Sequence, residues 1–242
     1  EGDEISVYAW TGDATVAPET RERVVNNAIN KLTNGSWIST PQMLWKNNRD
    51  KHYFIGVYPT AVISDLSAGE YTFDVNKQTE SDLLVAVNKD GLSYNVDEQQ
   101  PVPLTFTHVM AKLVVNLTYK NQWGGIPTVE KVVVGNAAKE ATINYLTKVV
   151  TPSTTAKEDF SLPEITENTK YVSVIIPQED VKQLTIVIGG KNFVYDNGTP
   201  FKLESGKITT VNLEVGRDEI KLGDVKITDW ENGSTFSGEA LN

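Results

Sequence analysis

Cysteine is absent from the 242 residues. That one absence excludes disulfides, thiolate metal sites, Cys nucleophiles and iron–sulfur clusters. It leaves the redox compartment open. Histidine is nearly absent too, with only His52 and His108, so a three-His zinc site cannot be built and any His-based triad must use one of these two. No apolar run reaches the roughly 18 residues that a bilayer-crossing helix needs. Positive charge is scarce: 22 Lys and Arg stand against 32 Asp and Glu, for a net charge of -10. That balance argues against a nucleic-acid partner, because affinity for phosphates comes from clustered cations. The opening Glu1-Gly2-Asp3-Glu4 has no initiator Met and no basic or apolar signal region, as expected of a processed or trimmed chain.

What is present is a folding composition, 39% hydrophobic and 22% charged, in a length that suits one large domain or two smaller ones. Periodicity of two dominates. It runs through Ile5 to Trp10, Phe54 to Tyr58, Tyr71 to Val75, Lys112 to Tyr119 and Val129 to Val134, and each of these predicts a strand. Further strand patterns cover Tyr171 to Ile176, Leu184 to Ile188, Phe193 to Tyr195, Lys207 to Val215 and Glu219 to Thr228. Asn88-Lys89-Asp90-Gly91, Gly189-Gly190-Lys191-Asn192 and Asp196-Asn197-Gly198 carry tight-hairpin turn chemistry. Short strands without alternating helices predict an all-β sandwich.

Two segments qualify that reading. Pro18 to Leu32 has a Pro near its start and partial three-to-four spacing, which admits a helix, although its three Asn residues are poor helix formers. Asp97-Glu98-Gln99-Gln100-Pro101-Val102-Pro103 is a polar, stiff connector between two strand-rich halves. It divides the chain into 1–102 and 103–242. Thr151 to Lys157, rich in Thr and Ser, predicts a loop.

Chemistry-bearing constellations are few. The glycine-rich phosphate loops are missing, and the Asn-Gly and Asp-Gly turns lack the alternating acids and later Glu of a calcium loop. His108 lies among apolar residues without an acidic neighbour in sequence, which predicts a buried, structural His bonded to backbone. His52, beside Asp50 and Lys51, reads as an exposed loop residue. With 32 acids, some carboxylate pair will fall at glycosidase spacing by chance, so a glycoside hydrolase stays a remote reading. Five tryptophans, Trp10, Trp37, Trp45, Trp123 and Trp230, raise sugar stacking, although an isolated Trp is more often a core filler. Asn34, Asn116, Asn197 and Asn232 open Asn-x-Ser/Thr sequons, and a glycan on Asn116 would sit awkwardly in mid-strand. These residues assemble no active site and call for no cofactor.

Several stretches, in order, resemble the fimbrillin-like family, the type V pilin superfamily of Bacteroidetes surface fimbriae. They are Glu1 to Trp10, Gly35-Ser36-Trp37, Tyr53 to Pro59, Ser81 to Ala86, Val102 to Leu113 and Ile227 to Gly233. The resemblance implies two tandem transthyretin-like β-sandwiches, made as an outer-membrane lipoprotein precursor and displayed at the cell surface, on the outer membrane or in a fimbrium. In that setting Val24 to Leu32 is a strand. Family members carry a strand with an Arg-containing loop ahead of the Gly-Asp-Glu segment, and a lipidated Cys ahead of that. Both are missing here.

The resemblance implies a non-catalytic fimbrial subunit or tip adhesin, with other fimbrial subunits as partners and host or bacterial surface glycans or proteins as possible further ones. Its rival is a surface glycan-binding protein using exposed aromatics. Buried Trp10, Trp37 and Trp230 would favour the subunit. Assembly in the family is by β-strand donation. A sandwich short of one strand would expose a groove along Ile5, Val7 and Ala9, and the candidate donor is a tail carrying Phe236, Ala240 and Leu241.

Overall fold

The computed structural model describes residues 1–97, 101–196, 198–217 and 220–229. Among them the chain is nearly all β, as its period-two patterning expects. The strands in chain order are β1 Glu4–Thr11, β2 Arg23–Thr33, β3 Ser36–Thr40, β4 His52–Tyr58, β5 Gly69–Thr72 and β6 Leu84–Leu92. They continue as β7 Thr107–His108, β8 Ala111–Tyr119, β9 Val129–Ala138, β10 Glu140–Asn144, β11 Val149–Pro152 and β12 Lys157–Ser161. The last are β13 Glu164–Thr166, β14 Lys170–Ile175, β15 Gln183–Ile188, β16 Lys191–Asp196, β17 Lys207–Val215 and β18 Ile220–Asp229. Two single-turn helices, α1 Gln78–Ser81 and α2 Tyr94–Asp97, interrupt them.

The strands form four sheets, ordered β3-β2-β1-β4-β6-β7, β11-β10-β5, β12-β9-β15-β16 and β13-β14-β8-β17-β18. The chain falls into two compact units. One comprises Glu1–Tyr71, Asp82–Val109 and Thr142–Val150; the other comprises Thr72–Ser81, Met110–Ala141 and the chain from Thr151.

In the first unit β1 is central, antiparallel to β2 on one edge and to β4 on the other. Its residues Ile5 to Trp10 are buried on both faces, Ser6 included, so the alternation marks the strand and not a solvent-facing side. On one of these faces the Tyr8 hydroxyl donates to the Ala61 carbonyl (2.5 Å) and accepts from the Ile63 N–H (2.9 Å), while Ser6 Oγ accepts from the Ala61 N–H (2.9 Å). Two buried hydroxyls thus satisfy the backbone of a segment that has no sheet of its own there.

The helix option for Pro18 to Leu32 gives way to a strand. Thr20–Glu22 make a single 3-10 turn, capped reciprocally by Glu19 and Glu22, and β2 follows at once. Asn27, at φ 59, sits where the β1–β2 register shifts. An Asn tolerates that left-handed backbone, so the residue that weakens a helix here serves a bulge.

Four other sequence expectations need correction. Asn88 to Gly91 is not a hairpin turn but lies inside β6, where the register slips between His52/Leu92 and Phe54/Asn88; Asn88 Oδ1 accepts from the Gly91 N–H at 2.9 Å. The Asx bond and a left-handed Gly stabilise a bulge as readily as a turn. The strand expected at Tyr71 to Val75 ends at Thr72. Part of the loop expected at Thr151 to Lys157 is strand, since β11 runs to Pro152 and β12 begins at Lys157. After Asp196, the Gly198 N–H is held by Asp196 Oδ1 at 2.9 Å, and β16 ends there with no hairpin partner following it in its sheet. Gly189-Gly190 does close a two-residue hairpin, with Ile188 opposite Lys191 and both glycines at positive φ.

In the second unit buried residues alternate along Leu113, Val115 and Leu117 on β8, Val132 and Val134 on β9, Leu184 and Ile186 on β15, and Val211, Leu213 and Val215 on β17. β8 and β17 run parallel, and Asn116 Nδ2 donates to Asn212 Oδ1 across the ladder at 2.8 Å. That amide is therefore engaged in mid-sheet. Trp123 donates from Nε1 to the Val215 carbonyl (2.9 Å) and meets Phe193 edge-on at 5.7 Å.

Candidate assembly face

Ile5, Val7 and Ala9 share one face of the six-stranded sheet with Val25 and Ala28 of β2 and Phe54 of β4, and all six are buried. Ile5, Val7 and Ala9 fall on one face as alternation along a strand requires. β1 is laddered along both edges, so these residues lie in mid-sheet, and what the face can offer a partner is its side-chain surface.

No strand of the six-stranded sheet can cover its own face. Part of the cover comes from Met43 and Trp45, in the segment between β3 and β4, and part from Val102, Leu104 and Phe106. Residues 101–106 alternate exposed and half-buried, with Pro101, Pro103 and Thr105 outward. None of their backbone groups bonds to another backbone group among the described residues. Among the described residues, one side-chain bond reaches them, from Asn88 Nδ2 to the Pro103 carbonyl at 3.4 Å. Beneath them lies Gly56: a Cβ built there would stand 2.7 Å from Phe106 Cζ and 3.1 Å from Leu104 Cδ1. The missing side chain lets both apolar tips reach the β4 backbone.

One rim of the face is polar. His52, expected in an exposed loop, is instead 1% exposed at the start of β4. Its Nε2 accepts from the Lys46 N–H (3.0 Å), its Nδ1 faces the Asp50 carbonyl (3.0 Å), and Trp45 meets it edge-on at 4.9 Å. Burial lowers its pKa, outweighing the Asp50 carbonyl. Sequence reasoning missed it because its neighbours in sequence are polar and its neighbours in space are not.

His108 is also corrected in part. It is half-buried on β7, and its Nδ1 pairs with Asp82 Oδ1 at 2.7 Å, where a backbone partner was expected. The acid comes from a segment 26 residues earlier, which no local sequence window could show.

The tryptophans divide. Trp10 is buried, with its Nε1 donating to the Asp13 carbonyl at 2.9 Å. Trp37 is 48% exposed, contrary to expectation, because β3 is an edge strand with a single neighbour. Trp230, with Phe236, Ala240 and Leu241 of the expected donor tail, lies outside the described residues. An open cleft of about 750 Å³ beside Trp10 includes Asp13, Arg21 and Lys46 in its lining. The Trp10 ring is too buried to offer a stacking face there.

A family profile described as fimbrillin-like matches residues 1–230. The chain belongs to the fimbrillin-like family. Solved structures agree on the fold of this fimbrillin-like chain. A candidate cell adhesion protein from Bacteroides uniformis superposes with a TM-score of 0.71 at 19% identity, covering 95% of this chain and 92% of the other. A fimbrial protein from Bacteroides vulgatus gives 0.61 at 12% identity, over 94% and 93% of the two chains. The tip fimbrial protein Mfa3 from Porphyromonas gingivalis, with a C-terminal truncation, gives 0.55 at 10% identity over 95% of each. No curated protein sequence matches the chain.

Proposed function

We propose that this fimbrillin-like chain is a non-catalytic building subunit of a surface fimbrium, exported as a lipoprotein precursor and joined to other subunits by strand donation. Two tandem transthyretin-like domains would carry it. Family membership over residues 1–230 supports the fimbrial role. The observation that supports strand donation is the face over Ile5, Val7 and Ala9, covered in part by residues 101–106, a strand-like segment without backbone bonds. A strand from a neighbouring subunit that filled the same positions would bury apolar surface at roughly 1.5–3 kcal/mol per fully buried side chain. The donor proposed is the tail with Phe236, Ala240 and Leu241.

Shaft and tip roles both fit such a subunit. The glycan-binding reading draws less support, since the one well-exposed tryptophan among the described residues, Trp37, stands on a sheet edge. The test is to label the cell surface with antibody to this chain and view it by immunogold electron microscopy, alongside cells producing the chain without residues 234–242. Labelled filaments lost in the deletion support subunit and donor tail together. Filaments unchanged by the deletion remove the tail as donor, and label confined to the cell envelope removes the filament role.

A further inference from the structure

β3 is an edge of the six-stranded sheet, with β2 as its one neighbour among the described residues. The ladder fixes which of its backbone groups are engaged. Leu32 of β2 turns both its N–H and its C=O toward β1, to the Asp3 carbonyl and the Gly2 N–H, at 2.9 Å each. Leu32 stands opposite Trp37, and Asn30, two residues back, stands opposite Ser39. In an antiparallel ladder a residue that turns away from its partner faces one that turns away as well. Trp37 and Ser39 therefore aim their N–H and C=O groups at the open side of β3.

The side chains do not guard that side. Trp37 and Ile38 are 48% and 54% exposed, and Ser36-Trp37-Ile38-Ser39-Thr40 carries no charge and no proline. Lys31, opposite Ile38, is neutralised by Glu4 at 2.8 Å. The other sheet edges among the described residues are protected. They carry Glu70 in β5, Pro152 in β11, Glu158 in β12, Glu164 in β13, Asp196 in β16 and Lys221 in β18, while β7 is only Thr107–His108. Charge, proline and shortness are the devices that keep sheet edges from pairing. β3 uses none of them.

We infer that β3 is a self-association edge, which pairs antiparallel with β3 of a second copy of the chain across a two-fold axis at Ile38. The backbone sets this register. With Ile38 facing its own counterpart, Trp37 of each copy faces Ser39 of the other, and both pairs exchange N–H···O bonds. An axis at Trp37 would set Ser39 against Gly35 of the hairpin turn, and an axis at Ser39 would set Trp37 against Pro41, which has no N–H. Only the axis at Ile38 engages every outward group. It also brings the two Trp37 rings together as diagonal neighbours on one face, within aromatic reach. The net charge of -10 opposes self-contact in general, and β3 with its neutralised Lys31–Glu4 flank offers an uncharged approach. The contact is lateral, displaces nothing and is independent of strand donation. Its area is small, so it acts where copies are held at high local concentration.

The cysteine-free chain permits a direct test. Purified chains carrying Ile38→Cys or Ser36→Cys, two exposed positions on the same face of β3, are oxidised in parallel, and linked dimer is followed by non-reducing electrophoresis and intact mass. Facing Cα atoms at such a non-hydrogen-bonded pair lie about 4.5 Å apart, inside disulfide reach. Two copies of position 36 would stand about 13 Å apart along the strands, outside it. Ile38→Cys should dimerise about tenfold faster than Ser36→Cys, or more. Equal rates, or a faster Ser36→Cys, overturn the pairing. Ser39→Pro, added to Ile38→Cys, removes an outward N–H and leaves the bonds to β2 in place. It should bring dimer formation down to the Ser36→Cys rate, with the fold checked by circular dichroism. Undiminished dimer in that folded variant would show thiols meeting by collision and overturn the paired edge. Should Ser39→Pro misfold, the comparison of Ile38→Cys with Ser36→Cys decides alone. Neither readout needs filaments, so failure of strand donation would leave both intact.

Discussion

The Arg23 guanidinium lies 5.3 Å from the centroid of the Tyr8 ring, with both side chains buried in the first unit. Nη1 donates to the Ile63 carbonyl (2.6 Å) and to Asn26 Oδ1 (2.8 Å), and Nη2 donates to the Ser64 carbonyl (2.6 Å). Burial lowers the Arg23 pKa, and the neighbouring Tyr8 and Asp65 oppose that shift. The cation is held by carbonyl dipoles and an aromatic face, an arrangement that suits the planar fork of Arg and not a lysine ammonium.

Arg23→Met should therefore leave the Ile63 carbonyl without its side-chain donor and the Ser64 carbonyl with only the longer bond from Thr20 Oγ1 (3.2 Å), and cost about 1–3 kcal/mol. Arg23→Lys should recover less than half of that loss. Urea unfolding at constant slope measures both. A methionine variant as stable as the wild type would show that the carbonyls find other donors.

His52 makes stability depend on pH. Its pKa is lowered in the fold, so the folded state prefers the neutral ring. The resulting contribution is whole above the ordinary histidine value of about 6.5 and is lost as pH falls through the lower folded value. The urea midpoint should fall between pH 7.5 and pH 5, a range chosen to lie above the carboxylates. His52→Gln should be less stable at pH 7.5 and show a flatter profile across that range. A profile as steep in the variant would assign the pH dependence to another group.

Two glycines separate backbone strain from crowding. Gly91 has φ +69, and a Cβ there would stand 2.7 Å from Tyr53 Cε1; Gly189 has φ +58 with nothing within 4 Å. Gly189→Ala should cost about 1–2 kcal/mol for the left-handed backbone alone. Gly91→Ala should cost more, by about 1–3 kcal/mol for the displaced ring. Equal losses by thermal or urea unfolding would mean that Tyr53 moves aside freely.

What the sequence made legible was whatever depends on local pattern. Ile5 to Trp10 reads as a strand because its alternation and length suffice, and Gly189-Gly190 reads as a hairpin because two left-handed positions need glycine. Asn88 to Gly91 misled because a bulge and a turn use the same Asx and glycine chemistry. His52, Trp37 and the Asp82–His108 pair misled for another reason. Their surroundings come from distant segments, and an edge position such as that of β3 is a property of sheet order. The cover over Ile5, Val7 and Ala9 belongs to the same class. The prolines at 101 and 103 mark a stiff connector, and only the fold shows that it lies on a core face.

Cross-linking of fimbriae assembled from an equal mixture of ¹⁴N- and ¹⁵N-labelled chains tests the central claim most directly. Lys46, whose N–H is held by His52, stands at the rim of the face. If a neighbouring subunit supplies a strand there, links from Lys46 should join light to heavy peptides as often as light to light. Links from Lys46 that stay within one isotope, in filaments that demonstrably contain both, would contradict strand donation at this face.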